Sequence, residues 1–290
     1  MPSLSCIGAG RLGKTLCRLL SDHVHIKQVI NQSETSSQRA IDFIGAGTKA
    51  NMGSFEPADI WLIATPDNQI EASYKALLHS GVLQKGTIVF HCSGSLDCSI
   101  LQSEGSQNFG ASVHPIHSFA NPALSVTSFA GTYCAIECEG ENEASEYLHT
   151  LFTIIGGLPF SIGSQNKALY HASTVMACNY LITLLESSQQ MLSATGIKGG
   201  SGNPLESLIR QTLDNYLNTS ASEALTGPIA RGDSHTIDNH LKALSDVDGG
   251  QQWQQLYRQL GKATLPIAAE QGQASDEDLL AIKALLDTDK

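Results

Sequence analysis

Three glycines stand at Gly8, Gly10 and Gly13, directly after the short apolar run Leu4 to Ile7. They open a helical pattern of leucines at Leu12, Leu16, Leu19 and Leu20. Strand, glycine turn and helix, in that order, form the arrangement that receives a dinucleotide's pyrophosphate. Gly8 permits the tight turn, Gly10 lets the backbone approach the phosphates, and Gly13 lets the helix pack close to the strand. The first-turn N–H groups of Arg11, Leu12 and Gly13, with the positive end of the helix dipole, then face the anion.

A second set of residues carries proton chemistry. Lys167 and His171 are four residues apart at the start of a long helical pattern, which puts them on one face about 40° apart. Asn179 falls roughly 80° further round by the same arithmetic. Either Lys167 or His171 can give a proton to a carbonyl oxygen as a hydride reaches the carbon. In the turn-rich run Leu225 to Asp233, Arg231 suits bidentate capture of a carboxylate, unless it merely pairs with Asp233. Asp233 is also a ready N-cap. His114 and His117 invite a metal reading with His91, but a site needs three or more ligands, and no metal is expected. A neutral His114 lining the crevice can instead hydrogen-bond a substrate; anchoring its own turn is the alternative.

The elements that must position these residues alternate. A strand over 23–30 ends before Asn31, where the fingerprint expects an acid on the adenosine ribose roughly 20 residues past the glycines. Asn31 and Ser33 can donate to a 2′-phosphate, and Arg11 or Arg39 can pair with it. That favours NADP over NAD. Glu34 argues the other way if the turn carries it to the ribose. A helix over 34–45 and a short strand near Thr48 precede a buried strand over 59–64, which ends in Thr65 and Pro66 at the cofactor crevice. Asp67 reads as the N-cap of the next helix. Strands over 87–91 and 109–113 end in Cys92-Ser93-Gly94-Ser95 and in His114-Pro115. Residues 132–139 alternate like an edge strand. A helix over 141–155 and a strand over 158–162 complete a doubly wound, mainly parallel α/β domain over 1–163. After Gly163 only helical patterns follow, over 165–195, 205–217, 219–225, 234–245, 251–270 and 275–287, with a glycine-rich loop over 196–204. Residues 164–290 thus form an all-α domain for substrate and dimerisation.

Composition bounds the partners. A chain of 290 residues with 41% hydrophobic and 16% charged residues suits two packed domains. Net charge is −11 with no basic run, which argues against nucleic acid and anionic membrane surfaces. No uninterrupted run reaches the ~20 apolar residues of a membrane span, and no signal-peptide pattern opens the chain. Seven cysteines without a CxxC pair read as free thiols in a reducing cytoplasm.

The glycine fingerprint, Ala64 to Asp67, His91 to Ser95, His114-Pro115, Tyr170 to Ala172, Asn179 to Leu181 and the run Leu225 to Asp233 together resemble one bacterial family. It joins a Rossmann-like NAD(P) domain to a helical C-terminal domain. It is similar to pyrroline-5-carboxylate reductases, β-hydroxyacid dehydrogenases and ketopantoate reductases. The resemblance implies an NADP-linked reductase that dimerises through its helical domain. In the ketopantoate reductase and β-hydroxyacid dehydrogenase pattern a helix lysine is followed four residues later by asparagine. Here Lys167 is followed by His171, so either His171 replaces that asparagine or Asn179 does its work. The expected reaction is reduction of a small, ketopantoate-like 2-oxo acid. Lys167 or His171 would protonate, Asn179 orient and Arg231 hold the carboxylate, with Ser93 and His114 against the substrate. The alternatives are an imino-acid reductase of the pyrroline-5-carboxylate type and a non-catalytic NAD(P)-binding regulatory protein.

Overall fold

The computed structural model describes residues 1–140, 142–197 and 202–288. The predicted loop over 196–204 lies partly outside them. The chain divides into two compact units, Met1–Tyr180 and Leu181–Lys290.

The first unit is built on one sheet of eight strands: β1 (Ser3–Ile7), β2 (His25–Ile30), β3 (Thr48–Ala50), β4 (Ile60–Ile63), β5 (Ile88–His91), β6 (Phe109–Pro115), β7 (Tyr133–Cys138) and β8 (Leu158–Ser161). Their spatial order is β3-β2-β1-β4-β5-β6-β7-β8. The six strands from β3 to β6 are parallel. β7 runs antiparallel to β6 and parallel to β8. The helices α1 (Arg11–Leu20), α2 (Glu34–Ile44), α3 (Asp67–Ser80), α4 (Pro122–Ser128) and α5 (Glu143–Ile154) connect them. A parallel sheet covered on both faces needs strands that are apolar throughout, and all of Ile60-Trp61-Leu62-Ile63 is buried. The order reverses between β1 and β4, which makes that point the topological switch where such sheets bind ligands.

Two sequence expectations are corrected here. β7 is interior, not an edge strand, because β8 pairs along its far side. Its alternation hid this, since Glu137 reads as an outward residue yet is buried at 5% exposure. Asp67 is not the N-cap of α3: Pro66 is, and Asp67 is the first helical residue, with its carboxylate turned elsewhere. The sequence reading also passed over α4, which Asn121 caps through the N–H groups of Ala123 and Leu124.

The glycine turn is set by close approach. Gly8 has φ +89°, and a Cβ there would lie 2.6 Å from the Thr65 backbone nitrogen and 2.7 Å from the Ala64 carbonyl carbon. A Cβ on Gly13 would lie 2.6 Å from the Gly8 oxygen. Both glycines are therefore fixed by the protein's own packing. Gly10 is not, because nothing comes closer than 4.0 Å to its missing Cβ.

The first unit continues past residue 163 into α6 (Lys167–Val175) and a π-helical turn over Met176–Tyr180. Lys167 at the start of α6 is only 2% exposed. The second unit holds α7 (Leu181–Ala194), α8 (Glu206–Asn218), α9 (Ala221–Ala224), α10 (Ser234–Ser245), α11 (Gly250–Gln271) and α12 (Asp276–Asp287). Ile237, Leu241, Ile282 and Leu286 form its buried cluster. Neither α7 nor α8 contains a buried residue. The helical segment Ser164–Ala194 is long and apolar enough to cross a membrane by length and composition, with a mean hydropathy of 1.2 over its best window. The count of uninterrupted apolar residues did not anticipate this, because serines, threonines and glutamines are scattered through the segment.

Candidate functional site

A crevice of about 520 Å³ opens at the β1/β4 switch point, within the range of small-molecule sites. Gly8, Ala9 and Gly10 form one wall, and Ala64, Thr65 and Pro66 the other. The first turn of α1 has no side-chain cap and no acidic residue. Its N–H groups, including those of Arg11, Leu12 and Gly13, are left for an anion. The Thr65 hydroxyl is buried with no hydrogen-bond partner among the described residues, an arrangement that costs stability unless a ligand completes it. With the open space at Gly10, these features fit a dinucleotide's pyrophosphate.

The ribose end is sharper than the sequence suggested. Asn31, Gln32, Ser36 and Arg39 line it, with Lys14 nearby, and no carboxylate does. Glu34 is instead paired with Lys49 at 3.0 Å. Ser33 does not line the crevice: its hydroxyl caps α2 by accepting from the Ser36 N–H at 3.2 Å. Ser36 stands in the crevice in its place. The Arg11 side chain is exposed and outside the lining, and Leu12 packs on the core. Arg39 forms no ion pair among the described residues.

Asp67, which follows Pro66, joins a partly buried polar cluster. The Asp67 carboxylate accepts from the Ser93 hydroxyl at 2.8 Å and from the Ser95 hydroxyl at 3.1 Å. The Ser93 oxygen also accepts the N–H groups of Ser95 and Leu96. Its one donor and two acceptor sites are thus filled, and the expected contact of this hydroxyl with substrate has no hydrogen-bonding capacity left to it. His91 locks the same loop, taking the Ser93 N–H on Nδ1 and meeting the Asp97 carbonyl through Nε2, each at 3.1 Å. Burial lowers its pKa to about 4, so it is neutral.

Lys167 sits beneath this loop. Its Nζ donates to the Ser112 hydroxyl and, at 3.4 Å, to the Ser93 carbonyl. Ser112 donates to the same carbonyl at 3.2 Å. Glu137 lies 3.9 Å from Nζ and accepts the Cys98 N–H at 2.7 Å. Burial pushes the Lys167 pKa down, and Glu137 opposes that shift. Removing either charge from such a buried pair typically costs about 3–5 kcal/mol.

Above the loop, Gly94 lies against two imidazoles. A Cβ on it would come within 2.5 Å of His171 Cδ2 and 2.9 Å of His114 Nε2. The two rings meet edge to face at 5.7 Å. His114 Nδ1 is 2.7 Å from the Tyr170 hydroxyl, a partner the sequence does not mark. Burial foremost, then His171 and Lys167, lowers the His114 pKa to about 4. Lys167 and His171 do share a face of α6, but Lys167 is the deeper of the two. Asn179 lies exposed in the π turn, where a smaller angle per residue replaces the 100° spacing assumed for it.

In the second unit, Asp233 caps α10, accepting the Thr236 N–H at 3.0 Å and the Thr236 hydroxyl at 2.6 Å. Arg231 is exposed in the preceding turn and forms no ion pair among the described residues. Its guanidinium is available for a carboxylate. The same residues contain no group of three metal-ligating side chains.

Comparison with known proteins divides the chain earlier than its compact units do. Residues 2–115 match the model of a Rossmann-like domain. Residues 132–264 match a domain of unknown function, DUF2520. Among solved structures it is similar to the protein TM1727 from Thermotoga maritima, at 22% identity over 93% of this chain and 99% of that one, with a TM-score of 0.72. A Bacteroides fragilis structure described as a candidate NADP oxidoreductase matches at 20% identity over 91% and 98%, TM-score 0.74. A reductive aminase from Aspergillus terreus in complex with NADPH and ethyl-5-oxohexanoate matches at 14% identity over 99% and 92%, TM-score 0.57. At these identities the likeness is one of fold. No curated protein matches the sequence.

The glycines separate structure from binding. Gly8→Ala should lower unfolding free energy by at least about 2 kcal/mol, because φ is positive and backbone lies in contact. Gly10→Ala should change stability by under about 1 kcal/mol yet weaken NADPH binding at least about tenfold. Chemical denaturation and fluorescence titration read the two effects; equal stability loss at both positions would contradict the assignment.

Proposed function

We propose that the chain is an NADP-dependent reductase of a small 2-oxo acid, with ketopantoate the first substrate to test. The observation that carries this reading is a crevice whose ribose end holds Arg39, Asn31 and Ser36 and, among the described residues, no carboxylate. A carboxylate would accept from a ribose 2′-hydroxyl and repel a 2′-phosphate; a guanidinium and neutral donors do the reverse. When bound, a reduced nicotinamide supplies a hydride. The chain's own groups supply the remaining needs. Lys167 is a positioning residue that holds the Ser93 carbonyl, and thereby Gly94, from below. His114 and His171 are the imidazoles beside Gly94. Asn179 would orient the substrate. The seven cysteines are free, which suits a reducing compartment such as the cytoplasm.

Purified protein should consume NADPH with ketopantoate. Arg39→Ala should raise KM for NADPH about tenfold, the scale of one charge-assisted contact, while leaving KM for NADH within about twofold. Tight NADPH binding without turnover across a panel of keto and imino acids would favour the regulatory reading instead.

The working form proposed is a homodimer through α7 and α8. Ile182, Leu208 and Leu217 are 64%, 60% and 75% exposed on these helices, and apolar surface of this kind is covered in stable proteins. A second copy is preferred to a bilayer because Glu186, Gln189 and Gln190 interrupt α7 in its middle. In sedimentation equilibrium the full chain should weigh twice its 30.9 kDa, and Leu217→Asp should shift it toward the monomer. A wild-type monomer would contradict the proposal.

A further inference from the structure

We propose that His114, backed by Tyr170, delivers the proton in this reduction, and that the group receiving it is a carbonyl oxygen rather than an iminium nitrogen. The inference rests on the reductase reading above and assigns the acid within it.

The relay is built from β6 and α6. His114 Nδ1 is 2.7 Å from the Tyr170 hydroxyl, whereas that hydroxyl's other acceptor, the His114 carbonyl, is 3.5 Å away. In the proposed relay the phenol hydrogen lies on the shorter of these contacts, toward Nδ1, and the ring hydrogen on Nε2. Nε2 is the atom that borders the missing Cβ of Gly94, and it makes no hydrogen bond among the described residues. The missing side chain is what lets this nitrogen lie so close to the Gly94 backbone.

The surroundings decide what kind of donor it is. Tyr170, His171 and Lys167 of α6 and Asp67 of α3 are the titratable groups that face the ring. Burial, His171 and the Lys167 charge disfavour an imidazolium, and Asp67 opposes them weakly. A neutral imidazole that gave up a proton alone would become an imidazolate. With Tyr170 behind it, it need not. As the carbonyl carbon gains the hydride, the Nε2–H bond breaks and an O–H bond forms on the substrate. The phenol proton passes to Nδ1, so the ring changes tautomer without changing charge. Nε2 then takes a proton from water as Nδ1 returns its own to the tyrosinate, which restores the starting tautomer. Burial raises the Tyr170 pKa, which drives that last transfer. One hydride and one solvent proton together convert carbonyl to alcohol. An iminium nitrogen has no lone pair to accept from Nε2–H, so this donor selects oxygen. Lys167 cannot take the role, because Ser112, the Ser93 carbonyl and Glu137 enclose its ammonium at 2% exposure.

The test combines turnover with a readout on the ring itself. In full-length protein with ¹⁵N-labelled histidine, His114 should carry its hydrogen on Nε2, and Tyr170→Phe should abolish that preference. His114→Gln should lower kcat for the keto acid at least about 100-fold, within the range of general acid catalysis, with NADPH affinity unchanged as the check on folding. Tyr170→Phe should lower kcat about tenfold or more and reduce the solvent isotope effect. A hydrogen found on Nδ1, or a His114→Gln enzyme within twofold of wild type while His171→Asn is inactive, overturns the relay and leaves the reductase reading standing. Wild-type turnover of imino acids but not keto acids overturns the choice of oxygen. A wild type that binds NADPH and reduces nothing overturns the reductase reading, and the relay with it.

Discussion

The structure depends on one close approach: the backbone of the Gly8 turn against the backbone at the end of β4. The Gly8 N–H donates to the Ile30 carbonyl at 2.8 Å, and the Ala64 N–H donates to the Ile7 carbonyl at the same distance. No Cβ fits between Gly8 and Thr65. This contact pulls the ends of β1, β2 and β4 into one rim, and the crevice is the gap above it. The start of α1, the Thr65 hydroxyl and the ribose-end residues Asn31 and Arg39 then face the same volume. A phosphate-binding turn placed anywhere else along the sheet would lack one of these walls.

A second constraint works on the other side of Pro66. The Ser93 carbonyl receives hydrogen bonds from both Ser112 and Lys167, and the Ser93 hydroxyl is held by Asp67. With His91 bonded to both ends of the loop, the Ser93-Gly94 peptide has little freedom. That rigidity lets two imidazoles approach Gly94 so closely, since a mobile loop would collide with them or leave a gap. Lys167 is the costly part, a buried cation with Glu137 as its counter-charge. Its place suits the fixing of geometry more than proton transfer.

How much of this was legible in the sequence follows from the range of the interactions. Gly8, Gly10 and Gly13 were readable because their causes lie within a dozen residues, in a strand-turn-helix unit with a fixed geometry. The missing acid at Asn31 was readable for the same reason, although Glu34 could be dismissed only once Lys49 was seen beside it. The alternating strands and helices gave the doubly wound architecture. Long-range pairings were not readable. Tyr170 meets His114 from 56 residues away, and Ser93 meets Asp67 from 26. No local pattern marks a tyrosine as a hydrogen-bond partner in place of a core ring. Glu137 misled for a related reason: a charged residue in an alternating strand reads as solvent-facing until its buried lysine is known. Asn179 was placed by ideal helix arithmetic that a π turn breaks.

Recognition of a 2′-phosphorylated dinucleotide by the crevice is the property on which the proposed function turns. Calorimetric titration of the full chain with NADPH and with NADH tests it most directly. One site per chain is expected, with NADPH bound at least about tenfold more tightly, a difference of about 1.4 kcal/mol. Equal affinity, a preference for NADH, or no binding of either would contradict it.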